Sequence, residues 1–205
     1  MDLSGRVFVF PSSRLTGGCE GTFSLYLMQS RRRSQSMETN RGSEGILSEE
    51  MSGKREEIVE LLKTAYFMEL ETVMNYVTNS INPDGVRAQE VKESVEEDIQ
   101  EELAHAQQFA ARIKELYGVV PGSMDFKASQ DMLQPPEDQV DVVHVIKGVI
   151  DAEDGAIRHY TRIVEETDEA DPVTQDMVID VLRDEQGHRR LFEGFLREYE
   201  AEGLA

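Results

Sequence analysis

Two short stretches decide how this 205-residue chain is read: Glu102-Leu103-Ala104-His105 and Glu185-Gln186-Gly187-His188. Each is a Glu-x-x-His unit. Residues three apart in a helix share a face, so each unit points one carboxylate and one imidazole at the same spot. Each also follows another glutamate by about one helix length: Glu69 lies 33 residues before Glu102, and Glu153 lies 32 before Glu185. Two such units and two further glutamates make six donors, the set with which four helices hold two metal ions in a bundle core. The candidate metal ligands, which would also be the catalytic residues, are Glu69, Glu102, His105, Glu153, Glu185 and His188.

The pattern around these residues is helical from Ser52 onward. The spacing predicts α1 over about residues 54–80, ended by the turn signal Asn82-Pro83-Asp84-Gly85. It predicts α2 over 86–117, stopped at Gly118 with Pro121 beyond it. A stretch over 119–137 holding Pro121, Gly122, Pro135 and Pro136 separates α2 from α3, which is expected over 138–166. Asp171-Pro172 opens α4, with the proline suited to a first turn, and α4 runs to about residue 200. Short α1–α2 and α3–α4 links make two antiparallel hairpins, and the long α2–α3 segment can cross the bundle.

Steps of four and three pick out one inward row per helix, as bundle seams require. The rows are Ile58, Leu62, Ala65, Glu69, Thr72, Tyr76 on α1 and Val95, Ile99, Glu102, Ala106, Phe109, Ile113, Leu116 on α2. On α3 the row is Val143, Ile146, Ile150, Glu153, Ile157, Tyr160, Val164. On α4 it is Val178, Leu182, Glu185, Arg189, Phe192, Leu196, Tyr199. Each row carries one glutamate near its middle. A lone buried carboxylate costs several kcal/mol or takes up a proton, so four in one core demand compensation. Two divalent cations balance four carboxylates, and two neutral imidazoles complete the set. An internal repeat supports this: Tyr76 and Tyr160 each lie seven residues after Glu69 and Glu153, and Glu101 and Asp184 directly precede the two units.

Composition narrows the alternatives. The net charge is −20, and the six acids and six arginines of residues 1–50 cancel, so the rest carries all of it. Such a surface repels phosphate backbones and anionic lipid, which argues against nucleic acid or membrane as partners. Cys19 is the lone cysteine, so neither an internal disulfide nor a cysteine metal cluster forms within one chain. No apolar run approaches the ~20 residues of a spanning helix, and no convincing signal-peptide core is present; a cytoplasmic location is expected. Residues 1–50 lack periodicity and are rich in Ser, Gly and Arg, which reads as a disordered segment. Met37 and Met51 leave open that it is an upstream extension absent from the working protein, whose domain then spans 51–205.

Specific stretches resemble a known family. Met68-Glu69-Leu70 with Asn75-Tyr76, then His105-Ala106, Phe109, Arg112-Ile113, Leu116 and Gly118, resemble the first two helices of bacterioferritins. Leu182-Arg183-Asp184-Glu185-Gln186-Gly187-His188 is similar to the fourth-helix motif almost letter for letter. The resemblance, to bacterioferritins within the ferritin-like di-iron superfamily, covers about residues 52–199. It implies an all-α, ferritin-like antiparallel four-helix bundle with one long α2–α3 crossover, and two Fe ions per subunit bound by the six residues, with Glu102 and Glu185 bridging. It also implies a homo-oligomer, either a dimer or a larger shell. Two departures matter. Leu103 stands where these proteins carry the methionine that binds haem, so no haem is expected, and no fifth helix fits after Glu200.

Carboxylates that shift between chelating and bridging modes suit a metal that changes oxidation state, so the ligand set favours iron, with manganese the alternative, over structural zinc. The expected function is an intrasubunit di-iron ferroxidase centre that oxidises Fe(II) with O2 or peroxide, for iron detoxification and storage. A rubrerythrin-like peroxidase or a small di-iron oxygenase is the alternative; with one cysteine, its reductant would be a partner protein. A non-catalytic metal-sequestering bundle is the alternative of another class. DNA-protecting mini-ferritins fit less well, because their site lies between subunits. Tyr76 and Tyr160 are read either as donors to metal ligands or as packed seam residues. Glu101 and Asp184 are read either as acceptors that orient the imidazoles or, as their helical angle favours, as solvated surface carboxylates. His144 and His159 are expected at the solvated surface, as is Glu71, which is ~200° around the helix from Glu69.

Overall fold

The computed structural model describes residues 45–205, and the expected disordered or extraneous N-terminal segment lies, up to residue 44, outside them. Four long helices follow: α1 (Ser52–Ile81), α2 (Ala88–Glu115), α3 (Val142–Thr167) and α4 (Pro172–Ala201). Single 3-10 turns at Gly45–Leu47 and Asp131–Leu133 complete the regular structure among the described residues. The most extensive packing is of α1 on α2 and of α3 on α4. This is the all-helical four-helix bundle of ferritin type that the seams predict.

The helix ends are set by local chemistry. At the start of α3, Asp138 turns the chain by accepting from the Val140 N–H, and Asp141 caps the helix by accepting from His144 N at 3.0 Å. The helix thus begins at Val142, four residues later than the periodicity indicates. Asp171 caps α4 through Thr174 N, with Pro172 in the first turn. The end of α2 differs from the expectation of a glycine stop. Tyr117, with φ 64°, takes the left-handed position, and Gly118 N reaches back to Ile113 O at 2.8 Å. Gly118 serves a steric need instead, since a Cβ there would lie 2.8 Å from Val59 Cγ1.

The rows of α1 and α2 lie inward as read, with Ile99 half-buried. Those of α3 and α4 hold in part: Ile146, Glu153 and Tyr160 on α3 and Val178, Glu185 and Phe192 on α4 are buried as read. Elsewhere on α3, Val142, Val149, Ala156 and Ile163 are buried one position before the expected Val143, Ile150, Ile157 and Val164. On α4 His188 turns inward and Arg189 outward, where its Nε donates to Asp154 Oδ1 at 2.5 Å. The core forms two apolar layers. Leu62, Phe109, Ile113 and Ile163 belong to one, and Val95, Val145, Ile146 and Phe192 to the other. On every helix the seam glutamate falls between its contributions to the two layers.

The crossover between α2 and α3 lies along α1, and this overturns the reading of Glu71. Glu71 does face away from the seam, yet it is only 3% exposed. Its carboxylate accepts from the Ser129 N–H at 2.7 Å, the Ser129 hydroxyl at 3.0 Å and the Gln130 N–H at 2.9 Å. Asn79 Nδ2 adds a bond to Leu133 O at 2.9 Å. A helix's own periodicity carries no sign of which flank a distant loop will cover. At the N-terminal end, Ile46 is buried, and the Arg55 guanidinium donates to Ile46 O and Ser48 O at 2.9 and 2.8 Å.

The crossover meets α3 at Gly148, where a Cβ would sit 2.4 Å from Met132 O and 3.0 Å from Leu133 Cα. Helix propensity alone would make Gly148→Ala stabilising by up to ~1 kcal/mol. Contact with rigid backbone reverses that sign, as overpacking costs about 1–3 kcal/mol. Gly148→Ala is therefore expected to lower the midpoint of thermal unfolding, measured by calorimetry on the metal-free protein.

Candidate metal centre

Between the two apolar layers the four seam glutamates and two histidines converge, drawn from all four helices. Glu69 comes from α1, Glu102 and His105 from α2, Glu153 from α3, Glu185 and His188 from α4. Glu69, Glu102, Glu153 and Glu185 are all 1–2% exposed. One group, Glu69, Glu102, His105 and Glu185, has ligand atoms within 4.8 Å of one another, and a second comprises Glu102, Glu153, Glu185 and His188. Glu102 and Glu185 belong to both groups, and Glu69 and Glu153 each belong to one.

The arrangement is crosswise. His105 Nδ1 is 3.2 Å from Glu185 on α4 but 3.8 Å from Glu102 on its own helix. His188 Nδ1 is 3.3 Å from Glu102 and 3.7 Å from Glu185. Helix α1 likewise serves α3: the Tyr76 hydroxyl donates to Glu153 Oε1 at 2.6 Å, and the Tyr160 hydroxyl donates to Glu69 Oε1. Both seam tyrosines are thus hydrogen-bond donors to the site.

Whether these donors fit a metal pair can be judged from the atoms left over. Buried polar groups are nearly always hydrogen-bonded. Here Glu102 Oε1, Glu185 Oε1, His105 Nδ1 and His188 Nδ1 are all buried without a hydrogen-bond partner. Although nitrogen and oxygen lie 3.2–3.8 Å apart, none of these pairs has hydrogen-bond geometry. Two imidazole nitrogens and two carboxylate oxygens are thus left without a partner in the bundle core, a donor set that fits divalent cations.

Electrostatics point the same way. Burial pushes the carboxyls of Glu69 and Glu153 well above the usual range, reinforced by the charges of Glu102 and Glu185. Burial also works against the charged form of Glu102. Hydrogen bonding from Glu69 and contact with the two imidazoles outweigh it and hold Glu102 below its ordinary value. For the histidines burial alone would favour the neutral form. The carboxylates of Glu102 and Glu185 reverse that, pushing His105 up to about 10 and His188 up to about 12. Without metal, protons on these groups supply the compensating charge.

The outer imidazole nitrogens also have partners, and these favour the imidazole-orienting reading of Glu101 and Asp184 over the solvated one. His188 Nε2 on α4 contacts Glu101 Oε2 on α2 at 3.2 Å, and His105 Nε2 on α2 lies 3.5 Å from Asp184 Oδ2 on α4. Each acid before a unit therefore faces the histidine of the other unit, while its own side chain stays 48% or 41% exposed. Such acceptors fix the ring and free its Nδ1 for a metal. Asp98 is a further neighbour, 3.7 Å from His188 Nε2 and 15% exposed at its side chain, and burial pushes its carboxyl up to about 6. Its signal in the sequence is a position one turn before Glu102. His144 and His159 stand apart, against the carbonyls of Gln134 and Leu61 at 2.9 Å.

Metal uptake must displace the bound protons. At pH 7 groups with ordinary histidine values would release roughly half a proton per two imidazoles. The values at His105 and His188 require two, and Glu69 and Glu153 add to that. Calorimetric titration in buffers of different ionisation heat should therefore give a release of two protons or more per pair of divalent ions. Affinity should also fall as pH falls.

The model of the ferritin-like domain matches residues 59–201. Among curated proteins, a DNA protection during starvation protein of Pyrococcus furiosus is 29% identical over 145 residues, which span 69% of this chain and 77% of that protein. A bacterioferritin of Desulfovibrio desulfuricans is 27% identical over 148 residues, spanning 70% of this chain and 78% of its own. A solved structure with the same fold is the dodecameric thioferritin, a bacterioferritin-related protein, of Bacteroides fragilis. It has a TM-score of 0.63 at 22% identity, covering 73% of this chain and 89% of that one. With the family match spanning most of its length and a buried glutamate–histidine cluster at mid-bundle, the chain belongs to the ferritin-like family.

Proposed function

We propose that this chain is an iron oxidase of ferroxidase type, taking two Fe(II) ions as substrate at Glu69, Glu102, His105, Glu153, Glu185 and His188. The observation that carries this reading is the set of four buried, unpartnered ligand atoms on Glu102, Glu185, His105 and His188. One ion would take His105 and Glu69, the other His188 and Glu153, with Glu102 and Glu185 shared. Bound as a pair, the two ions supply two electrons, which with two protons reduce O2 to hydrogen peroxide, or peroxide to water. The protein holds the pair in a site walled by apolar layers above and below. Tyr160 and Tyr76 hold the carboxylates of Glu69 and Glu153 in place, and Glu101 and Asp184 steady the imidazoles.

The setting supports iron handling over other roles. The likeness to a bacterioferritin supports it. Leu103, at the position discussed for haem, offers no nitrogen or sulfur ligand. A homo-oligomer is part of the proposal, since a related structure is described as dodecameric. Among the described residues no helix is long and apolar enough to cross a membrane.

Anaerobic titration should show uptake of two Fe(II) per chain, followed by fast oxidation when O2 or peroxide is added. Glu102→Ala and Glu185→Ala each remove a shared ligand and should abolish both uptake and oxidation. Retention of both in either variant would overturn the proposal. Comparing O2 with peroxide as oxidant separates a ferroxidase from a peroxidase, and binding without oxidation would identify a sequestering bundle.

A further inference from the structure

The two halves of the bundle match position for position around the centre. Tyr76 answers Tyr160, Glu101 answers Asp184, Glu102 answers Glu185, and His105 answers His188. One neighbour of the imidazoles breaks the match. Asp98 lies four residues before Glu102, and the residue four before Glu185 is Val181, which is 1% exposed and packed in the apolar core.

The consequence is an unequal environment for the two outer nitrogens. His188 Nε2 faces two carboxylates, Glu101 at 3.2 Å and Asp98 at 3.7 Å. Among the described residues His105 Nε2 has Asp184 alone within 4.0 Å, at 3.5 Å, with Glu101 more distant, within 4.8 Å of the ring. The additional carboxylate is also the least solvated of the three, with its side chain 15% exposed against 48% for Glu101 and 41% for Asp184. A charge with less water around it acts more strongly on its neighbour. A carboxylate behind a metal-binding imidazole orients the ring and raises its basicity as a ligand. Asp98 Oδ2 is buried, and among the described residues no donor competes with His188 for it.

We infer that Asp98 is a positioning residue that makes the two metal positions unequal. The position served by His188 and Glu153 is the tighter one and fills first; the position served by His105 and Glu69 fills second and gives up its ion more readily. This rests on the proposed metal centre and adds an order of filling to it. A pair assembled in that order keeps one ion resident while the other exchanges, which suits a site through which iron passes.

The test uses Co(II) as a redox-stable probe with the full chain at one neutral pH. Titration should resolve two steps differing by about tenfold or more, the range over which such outer carboxylates act on affinity. Crystals soaked with one equivalent of Co(II) should concentrate the anomalous signal at the position beside His188 and Glu153. Asp98→Asn keeps the shape and removes the charge, and should weaken the first step about tenfold while leaving the second nearly unchanged. Asp98→Val, which copies Val181, should do the same. Equal occupancy in the native chain would overturn the inference, as would an Asp98→Asn variant that leaves the first step unchanged or weakens both steps alike. Two ions bound with no order overturn only this inference. No uptake of Co(II) at all would overturn the metal centre as well.

Discussion

Four carboxylates in the middle of a folded bundle are the constraint on which the rest of the structure depends. Glu69, Glu102, Glu153 and Glu185 occupy core positions that apolar side chains would fill at lower cost. Burying even one ionised carboxylate without compensation costs several kcal/mol. The fold tolerates four because each stands within reach of a cation, a proton or a hydroxyl donor. The two imidazoles sit among the carboxylates, and the two tyrosine hydroxyls hold those that no imidazole approaches closely. The polar layer is thus a closed set, and its unfilled valences face inward.

The apolar layers give this set its rigidity. Phe109 and Ile113 on one side, with Ile146 and Phe192 on the other, are almost fully buried. Each such side chain contributes about 1.5–3 kcal/mol on burial. Together they offset a central layer that, taken alone, disfavours folding. They also shield it from bulk water, so charges there interact more strongly than at the surface. The crossover completes the enclosure: it is pinned to α1 through Glu71 and passes α3 where Gly148 leaves room for its backbone.

The crosswise contacts explain why the site needs all four helices in register. Each histidine approaches the glutamate of the other hairpin, and each outer acid faces the histidine of the other hairpin. Neither hairpin presents a finished half-site by itself. A shift of either by one turn, ~5.4 Å, would separate every one of these pairs. The centre therefore links the two hairpins chemically as the apolar layers link them by packing.

Much of this was legible in the chain itself, because period and spacing are local properties. The helix count, the antiparallel hairpins and the convergence of six residues follow from steps of three and four. So does the mid-seam position of each glutamate. Which residue types meet is a local matter, since residues three or four apart must share a helix face. How they meet depends on the packing of whole helices. The one-position offset of Val142, Val149, Ala156 and Ile163 on α3, the outward turn of Arg189, the burial of Glu71 and the place of Asp98 behind an imidazole each depend on a partner far away in the chain. Such contacts are set by the packing of whole elements, and a single helix's pattern holds no record of its neighbour's angle. The two Glu-x-x-His units were readable as words; which histidine answers which glutamate was fixed only when the hairpins closed on each other.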